Sequence, residues 1–297
     1  MGNIFDLKDF STSKIKSILD MAQFFCDGGI TPTFSKKVAC NLFFEPSTRT
    51  QYSFQVAQEK LGMKTITFSP FSSSLKKNES FYDTVKTFDS FGTDLLVIRH
   101  SKNEYYKALD EKISTPIING GDGTGNHPTQ SLLDLLTIQQ EFGQLEDLSV
   151  VIVGDIAHSR VAHTNFDIMN RVGMHVYTSG PIEYSDSSMN FIPFSQILPE
   201  CDVVMMLRMQ YERHFQHHEF NPVEYNQKYG INHKSIAQMK SAAIIMHPGP
   251  VNRSVEILDD FVECKQSRIF KQINNGIFVR MAAIKYVLSG GIDDSFN

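Results

Sequence analysis

The sequence predicts an α/β protein with parallel sheets, and three observations carry that reading. Short apolar, strand-like runs alternate with amphipathic helical stretches from end to end. The runs are continuously apolar and bounded by turn residues, which is what a parallel sheet buried on both faces requires. At 297 residues the chain also exceeds the size at which one hydrophobic core grows efficiently. Two domains of about 150 residues are therefore expected, with one large domain as the alternative.

Residues 38–44, 65–68, 94–98 and 115–118 form a first set of strand candidates, and residues 150–153, 175–177, 202–207 and 243–246 a second. Between them lies a long helical candidate, 129–142, with Leu132, Leu133, Leu135, Leu136 and Ile138 on a broad apolar face and Gly143 placed to end it. It is suited to bridging two domains. Residues 277–288 read as a last helix, apolar at Val279, Ala282, Ala283, Tyr286 and Val287, with its docking partner left open by the pattern.

Composition narrows the function classes. Hydrophobic residues make up 41% and charged residues 21%, as in an ordinary globular protein. Lysine plus arginine total 28 against 33 for aspartate plus glutamate, a formal net charge of -5, which argues against a nucleic-acid or anionic-membrane surface. Any anion site must be built locally. Cys26, Cys40, Cys201 and Cys264 lie too far apart for paired zinc-ligand spacing, and nothing at the N-terminus reads as a secretory segment, so reduced thiols in a cytoplasmic protein are expected. The apolar runs 149–153 and 203–207 fall far short of the roughly 20 residues that span a bilayer. Met205, Met206 and Met209 are expected in or near the core. His214, His217 and His218 include an i, i+4 pair, but no acidic or thiol partner sits at metal-site spacing, so no metal is expected.

Ligands of parallel α/β sheets collect at the carboxyl ends of strands, and the polar signals stand there. After the first strand comes Phe44-Glu-Pro-Ser-Thr-Arg-Thr50 and then a helical stretch with Phe54, Ala57 and Leu61 on one face. Hydroxyls, a guanidinium and the free N–H groups of a helix start converge at Ser47, Thr48, Arg49 and Thr50, as a phosphate dianion needs. Arg99-His100 follows the third strand. A glycine-rich loop, 120–126, follows the fourth and ends in His127-Pro-Thr-Gln130, at the mouth of the bridging helix. The loop lacks the Lys-Ser/Thr ending of a nucleotide P-loop.

In the second half, Gly154-Asp-Ile-Ala-His-Ser-Arg160 follows a strand and opens a helix, but it holds one of the three glycines of a dinucleotide fingerprint, which makes NAD an unsuitable ligand. Arg160 takes the position near the helix start, and Leu207-Arg208-Met209-Gln210 aims a second arginine and an amide from a strand end. Two arginines suit a dicarboxylate, since each guanidinium binds one carboxylate in a two-pronged way. By composition alone the polar run 72–79 is a solvated loop.

These pieces together resemble the aspartate and ornithine carbamoyltransferase family across essentially the whole chain. Phe44 to Thr50 and His127 to Gln130 look like the carbamoyl phosphate motifs shared by both branches. Arg208-Met-Gln210, the segment His247-Pro-Gly-Pro-Val-Asn-Arg253 and a Ser-rich loop ending in Lys77 resemble the aspartate branch specifically. An ornithine or other transcarbamoylase is the alternative, but it needs an acidic or neutral contact for its second amine, where this chain offers Lys77, Arg160 and Arg208. Three positions depart from the family pattern: Asn78 stands for a glycine, Ser101 for a proline, and Gly249 for an alanine or leucine.

The resemblance implies two α/β domains, each a parallel sheet flanked by helices, joined by interdomain helices. Residues 1–130, completed by a C-terminal helix within 277–297, would bind carbamoyl phosphate, and residues 144–276 would bind aspartate. It further implies that Ser47, Thr48, Arg49, Thr50 and Arg99 hold the phosphate and that Thr50, Arg99 and His127 polarise the carbonyl. Gln130 and the backbone of Pro248, Gly249 and Pro250 would anchor the carbamoyl amide, and Lys77, Arg160, Arg208 and Gln210 would hold aspartate. A homotrimer is implied in which Ser73 and Lys77 enter the neighbouring subunit's site, with no cofactor. By the same resemblance Glu45 and Arg213 would pair when both substrates are bound.

Overall fold

The computed structural model of the chain describes residues 2–70, 77–109, 111–209 and 220–290. The expectations for Ser73, Gln210, Arg213, His214, His217 and His218 lie outside the described residues.

In chain order the elements are α1 (Thr12–Cys26), β1 (Val38–Phe43), α2 (Thr48–Lys60), β2 (Lys64–Thr67), α3 (Phe81–Ser90), β3 (Leu95–His100), β4 (Ile117–Asp122) and α4 (Pro128–Phe142). There follow β5 (Ser149–Val153), α5 (Arg160–Arg171), β6 (His175–Ser179), α6 (Phe194–Ile197), β7 (Val203–Met206), α7 (Pro222–Tyr229), α8 (His233–Ile236), β8 (Ile244–Met246), α9 (Asp259–Val262) and α10 (Ile269–Leu288). Three boundaries differ from the sequence-based expectation in ways that matter. β3 and β4 extend through polar residues, so that Arg99, His100, Gly120 and Gly121 belong to strands rather than to the loops after them. The ladder pairs Ile98 with Asn119 and, after a register shift, His100 with Asp122, and such backbone pairing is indifferent to side-chain polarity. The last helix begins at Ile269 rather than at 277; the weak helix formers Asn274, Asn275 and Gly276 interrupt the pattern between its first turns and the apolar stretch after them.

The chain divides into two compact units, Met1–Leu136 with Ile273–Asn297, and Thr137–Gln272, each boundary falling inside a helix, α4 or α10. Each unit carries a four-stranded sheet among the described residues, in the order β2-β1-β3-β4 in the first and β6-β5-β7-β8 in the second. Every pairing is parallel. Parallel strands need covered faces, and the central strands have them: Cys40, Leu42, Leu96 and Ile98 lie in one core, and Val151, Val153, Val204 and Met206 in the other. Each such Leu or Ile contributes about 1.5–3 kcal/mol by leaving water. Met205, Met206 and Met209 are all fully buried. Burial pushes the thiols of Cys40 and Cys201 up to about 11 and about 12, so both stay protonated and inert. Among the described residues no helix is long and apolar enough to cross a membrane.

In both sheets the chain order reverses beside the first strand, between β1 and β3 and between β5 and β7. Crossover connections leave opposite faces of the sheet at such a point, and the loops part into a crevice at the carboxyl ends.

Candidate active site

The switch point of the first unit lies where β1 hands over to Phe44 and where β3 ends in Arg99 and His100. α2 starts four residues beyond β1, and its N-cap Ser47 makes no side-chain capping bond, which leaves that hydroxyl for a ligand. The first intrahelical bond of the segment runs from the Gln51 N–H to the Ser47 carbonyl at 3.1 Å, so the preceding N–H groups point out of the helix start. Thr48 and Arg49 are exposed and Thr50 is buried. The Thr50 hydroxyl lies 3.4 Å from Nε2 of His127, which joins two motifs separated by 77 positions.

Arg99 is braced from two sides. Its Nε donates to Oε1 of Glu45 at 2.7 Å and its Nη1 to the Gly120 carbonyl at 3.3 Å. Both partners of this ion pair are largely buried, with side-chain exposures of 11% and 18%, so the guanidinium is pre-oriented. Glu45 thus pairs with Arg99 in this structure. His127 is buried ahead of α4, and its carbonyl accepts the N–H groups of Gln130 and Ser131 at 3.0 and 3.2 Å. Gln130 donates through Nε2 to Oδ1 of buried Asp134 at 2.9 Å, an arrangement that turns its amide oxygen the other way.

Arg280 was passed over in the sequence because it sits in an apolar helical stretch. It is buried, donates from Nη1 to the Gly276 carbonyl at 2.8 Å and lies 5.0 Å from the ring centre of Phe54 on α2. Burial first, and the charge of Arg99 second, lower its pKa to about 9. The positive charge of Arg99 is thus felt at Arg280. His100 is enclosed by Phe81 at 4.7 Å and Phe44 at 5.5 Å, and burial lowers its pKa against an opposing pull from Glu45. It is a neutral packing residue.

Lys77 is exposed. Asn78, which follows it, has φ 64, a left-handed conformation that asparagine adopts more readily than most residues other than glycine.

In the second unit the switch point gathers the two predicted arginines. Gly154, at φ 135, ends β5, and a Cβ there would meet Cβ and the carbonyl of Leu207 at 3.1 and 3.2 Å. Glycine therefore lets the ends of β5 and β7 close on one another, and the segments leaving them carry Arg160 and Arg208. Arg160 is the first residue of α5, whose N-cap Ser159 accepts the Ala162 N–H, and both arginines are half-buried. After β8 comes the segment with Pro248 and Gly249 half-buried and Pro250 exposed. Gly249 has φ 73 and precedes a cis bond to Pro250, and its N–H donates to Nδ1 of His247 at 2.8 Å. Its positive φ accounts for glycine at this position. Glu256, also passed over in the sequence, is fully buried beside this segment and beside Met209. Local sequence held no signal for it.

Residues 3–140 match the family model for the aspartate/ornithine carbamoyltransferase, carbamoyl-P binding domain, and residues 146–287 that for the aspartate/ornithine carbamoyltransferase, Asp/Orn binding domain. Among solved structures, aspartate transcarbamoylase from Trypanosoma cruzi in complex with carbamoyl aspartate and phosphate is 26% identical with a TM-score of 0.85, over 95% of this chain and 94% of that one. The same values hold for the Trypanosoma cruzi enzyme in complex with N-(phosphonacetyl)-L-aspartic acid. The catalytic subunit of M. jannaschii aspartate transcarbamoylase is 30% identical with a TM-score of 0.84, over 98% of this chain and 99% of that one. The chain belongs to the aspartate/ornithine carbamoyltransferase family.

Proposed function

We propose that this chain is a carbamoyltransferase that moves the carbamoyl group of carbamoyl phosphate to the amine of L-aspartate, giving N-carbamoyl-L-aspartate and phosphate. The observation that carries the reading is the pairing of two kinds of switch point. The first unit joins a helix start, Thr50, His127 and a braced Arg99; the second gathers Arg160 and Arg208 on segments leaving adjacent strands. The former suits a phosphate with a carbonyl beside it, and the latter a dicarboxylate.

In this mechanism Ser47, Thr48, Arg49, Thr50 and Arg99 hold the phosphate. Thr50, Arg99 and His127 donate to the carbonyl oxygen as charge develops on it. Gln130 and the backbone of Pro248 and Gly249 anchor the carbamoyl NH2, and Arg160, Arg208 and Gln210 orient aspartate. The unprotonated amine attacks the carbonyl carbon, the bond from that carbon to the phosphate oxygen breaks, and the amine's proton leaves on the phosphate, so no protein base is required. The dianion competes with Glu45 for Arg99. We assign the reaction to de novo pyrimidine biosynthesis in the cytoplasm.

A homotrimer with shared sites completes the reading: exposed Lys77, and Ser73, reach the adjacent subunit's site, and Tyr52, Val56 and Ile66 leave α2 and β2 with exposed apolar side chains for subunit contact. Two measurements test the proposal. The chain, without added metal, is expected to consume carbamoyl phosphate with aspartate and not with ornithine; the reverse preference overturns the acceptor assignment. Inactive Arg49→Ala and Lys77→Ala chains, dissociated and reassembled together, are expected to regain activity, and proven hybrids that stay inactive rule out the shared site.

A further inference from the structure

We propose that Glu256 is a positioning residue for the transfer reaction, its carboxylate holding Arg208 and the Pro248–Gly249 backbone in one register. The inference rests on the functional reading above. Glu256 is 0% exposed. Its Oε1 accepts the Met209 N–H at 2.8 Å and the side-chain amide of Asn252 at 3.0 Å, while Oε2 accepts the Asn252 backbone N–H at 2.7 Å. The Asn252 amide also donates to the Met209 carbonyl at 3.3 Å, closing a ring of bonds around the residue that follows Arg208.

The same carboxylate faces the other segment through His247, which is buried with its Nε2 3.8 Å from Oε2. Because Nδ1 of His247 accepts the Gly249 N–H at 2.8 Å, a neutral imidazole carries its proton on Nε2, towards Glu256. The backbone that anchors the carbamoyl group is thereby linked through one ring to the carboxylate that sets Arg208. Three N–H donors converge on two oxygens that only accept. A glutamine there offers one oxygen and turns an NH2 against a donor, so the isosteric change breaks the register while filling the same volume.

The test is steady-state kinetics of the assembled full-length enzyme carrying Glu256→Gln or Asn252→Ala, beside a structural control. Asp202→Asn is that control: its carboxylate accepts the Ser149 N–H at 2.9 Å and pairs with Lys240 at 2.8 Å, at the opposite end of the same sheet. Glu256→Gln is expected to raise the aspartate KM at least tenfold and lower kcat several-fold, with a smaller rise, about threefold, in the carbamoyl phosphate KM, because the phosphate contacts of the first unit stay intact. Asn252→Ala, which keeps the carboxylate and two of its contacts, is expected to give the same split at roughly threefold. Asp202→Asn is expected to lower Tm and leave both KM values unchanged. Folded Glu256→Gln with an unchanged aspartate KM overturns the proposal; if that variant fails to fold, an unchanged aspartate KM in Asn252→Ala does so. A parent enzyme inert towards carbamoyl phosphate and aspartate overturns the functional reading and this inference with it, whereas an active parent with unsplit variants overturns this inference alone.

Discussion

The two units share one strand order and one direction of pairing, yet their switch points are equipped differently. In the first, the groups we propose for the anion come from one short run after β1, and Arg99 and His127 are added from β3 and from the start of α4. In the second, the two arginines stand on separate segments, and a buried carboxylate with no local motif accepts the N–H of Met209, the residue after one of them. A common sheet supplies the crevice, and the residues that happen to follow each strand decide which charge it receives.

The electrostatic balance differs as well. Arg280 feels the positive charge of Arg99, and Glu45, 2.7 Å from Arg99, offsets part of that excess. That arrangement favours a doubly charged anion, which neutralises more of the excess than a single carboxylate does. Glu256, by contrast, accepts three N–H donors, and the role we propose for it is geometric.

Three substitutions sharpen this contrast. The largest effect is expected from Arg49→Ala, which removes a charge-assisted contact from the leaving group: kcat should fall on the order of 10²–10³-fold in a folded protein. Near-normal turnover would take Arg49 out of the phosphate site. Next comes Arg208→Ala, expected to raise the aspartate KM roughly 10–100-fold, the equivalent of about 1.5–3 kcal/mol, while the carbamoyl phosphate KM stays within about twofold. Equal losses for both substrates would erase the division of labour between the units.

The smallest effect on turnover is expected from Asp89→Asn, a carboxylate of the first unit with a purely structural position. Its Oδ1 accepts four hydrogen bonds from the N–H and hydroxyl groups of Ser114 and Thr115, and its Oδ2 pairs with Lys86 at 2.7 Å. Burial raises its pKa, but the bonds from Lys86, Thr115 and Ser114 together outweigh burial and hold the carboxyl well below the usual carboxylate range. A folded-state pKa below the unfolded one of about 3.9 gives stability that is fully present above that value and is lost as pH falls through the folded pKa. Urea unfolding at neutral pH should show Asp89→Asn about 2 kcal/mol less stable, with KM and kcat unchanged. The difference should shrink below about pH 4; a difference that persists there would mean that the loss is one of packing.

The family motifs were legible in the sequence because each is a contiguous run whose local physics is complete: a strand, a turn and a helix start assemble from neighbouring residues, as at 44–50 and 127–130. The departures at Asn78 and Gly249 were legible as substitutions; for Gly249 the structure supplied a reason in its positive φ, and for Asn78 it shows a left-handed backbone that asparagine tolerates. The first residues of α10 and the polar ends of β3 and β4 were missed because ladder and helix bonds form between backbone groups, whatever the side chains show. Strand order was hidden too, and with it the reason that the segments after β1, β3, β5 and β7 carry the chemistry.

By itself the sequence determined the α/β class, the chemical type of each strand-end segment and the family. Only tertiary structure decided that Glu45 meets Arg99 across 54 positions, that Arg280 lies over the ring of Phe54 on α2, and that Glu256 reaches Met209 across 47. A buried charge is tolerated only where donors from distant segments converge on it, and that convergence is a property of the packed chain that no local run of residues encodes.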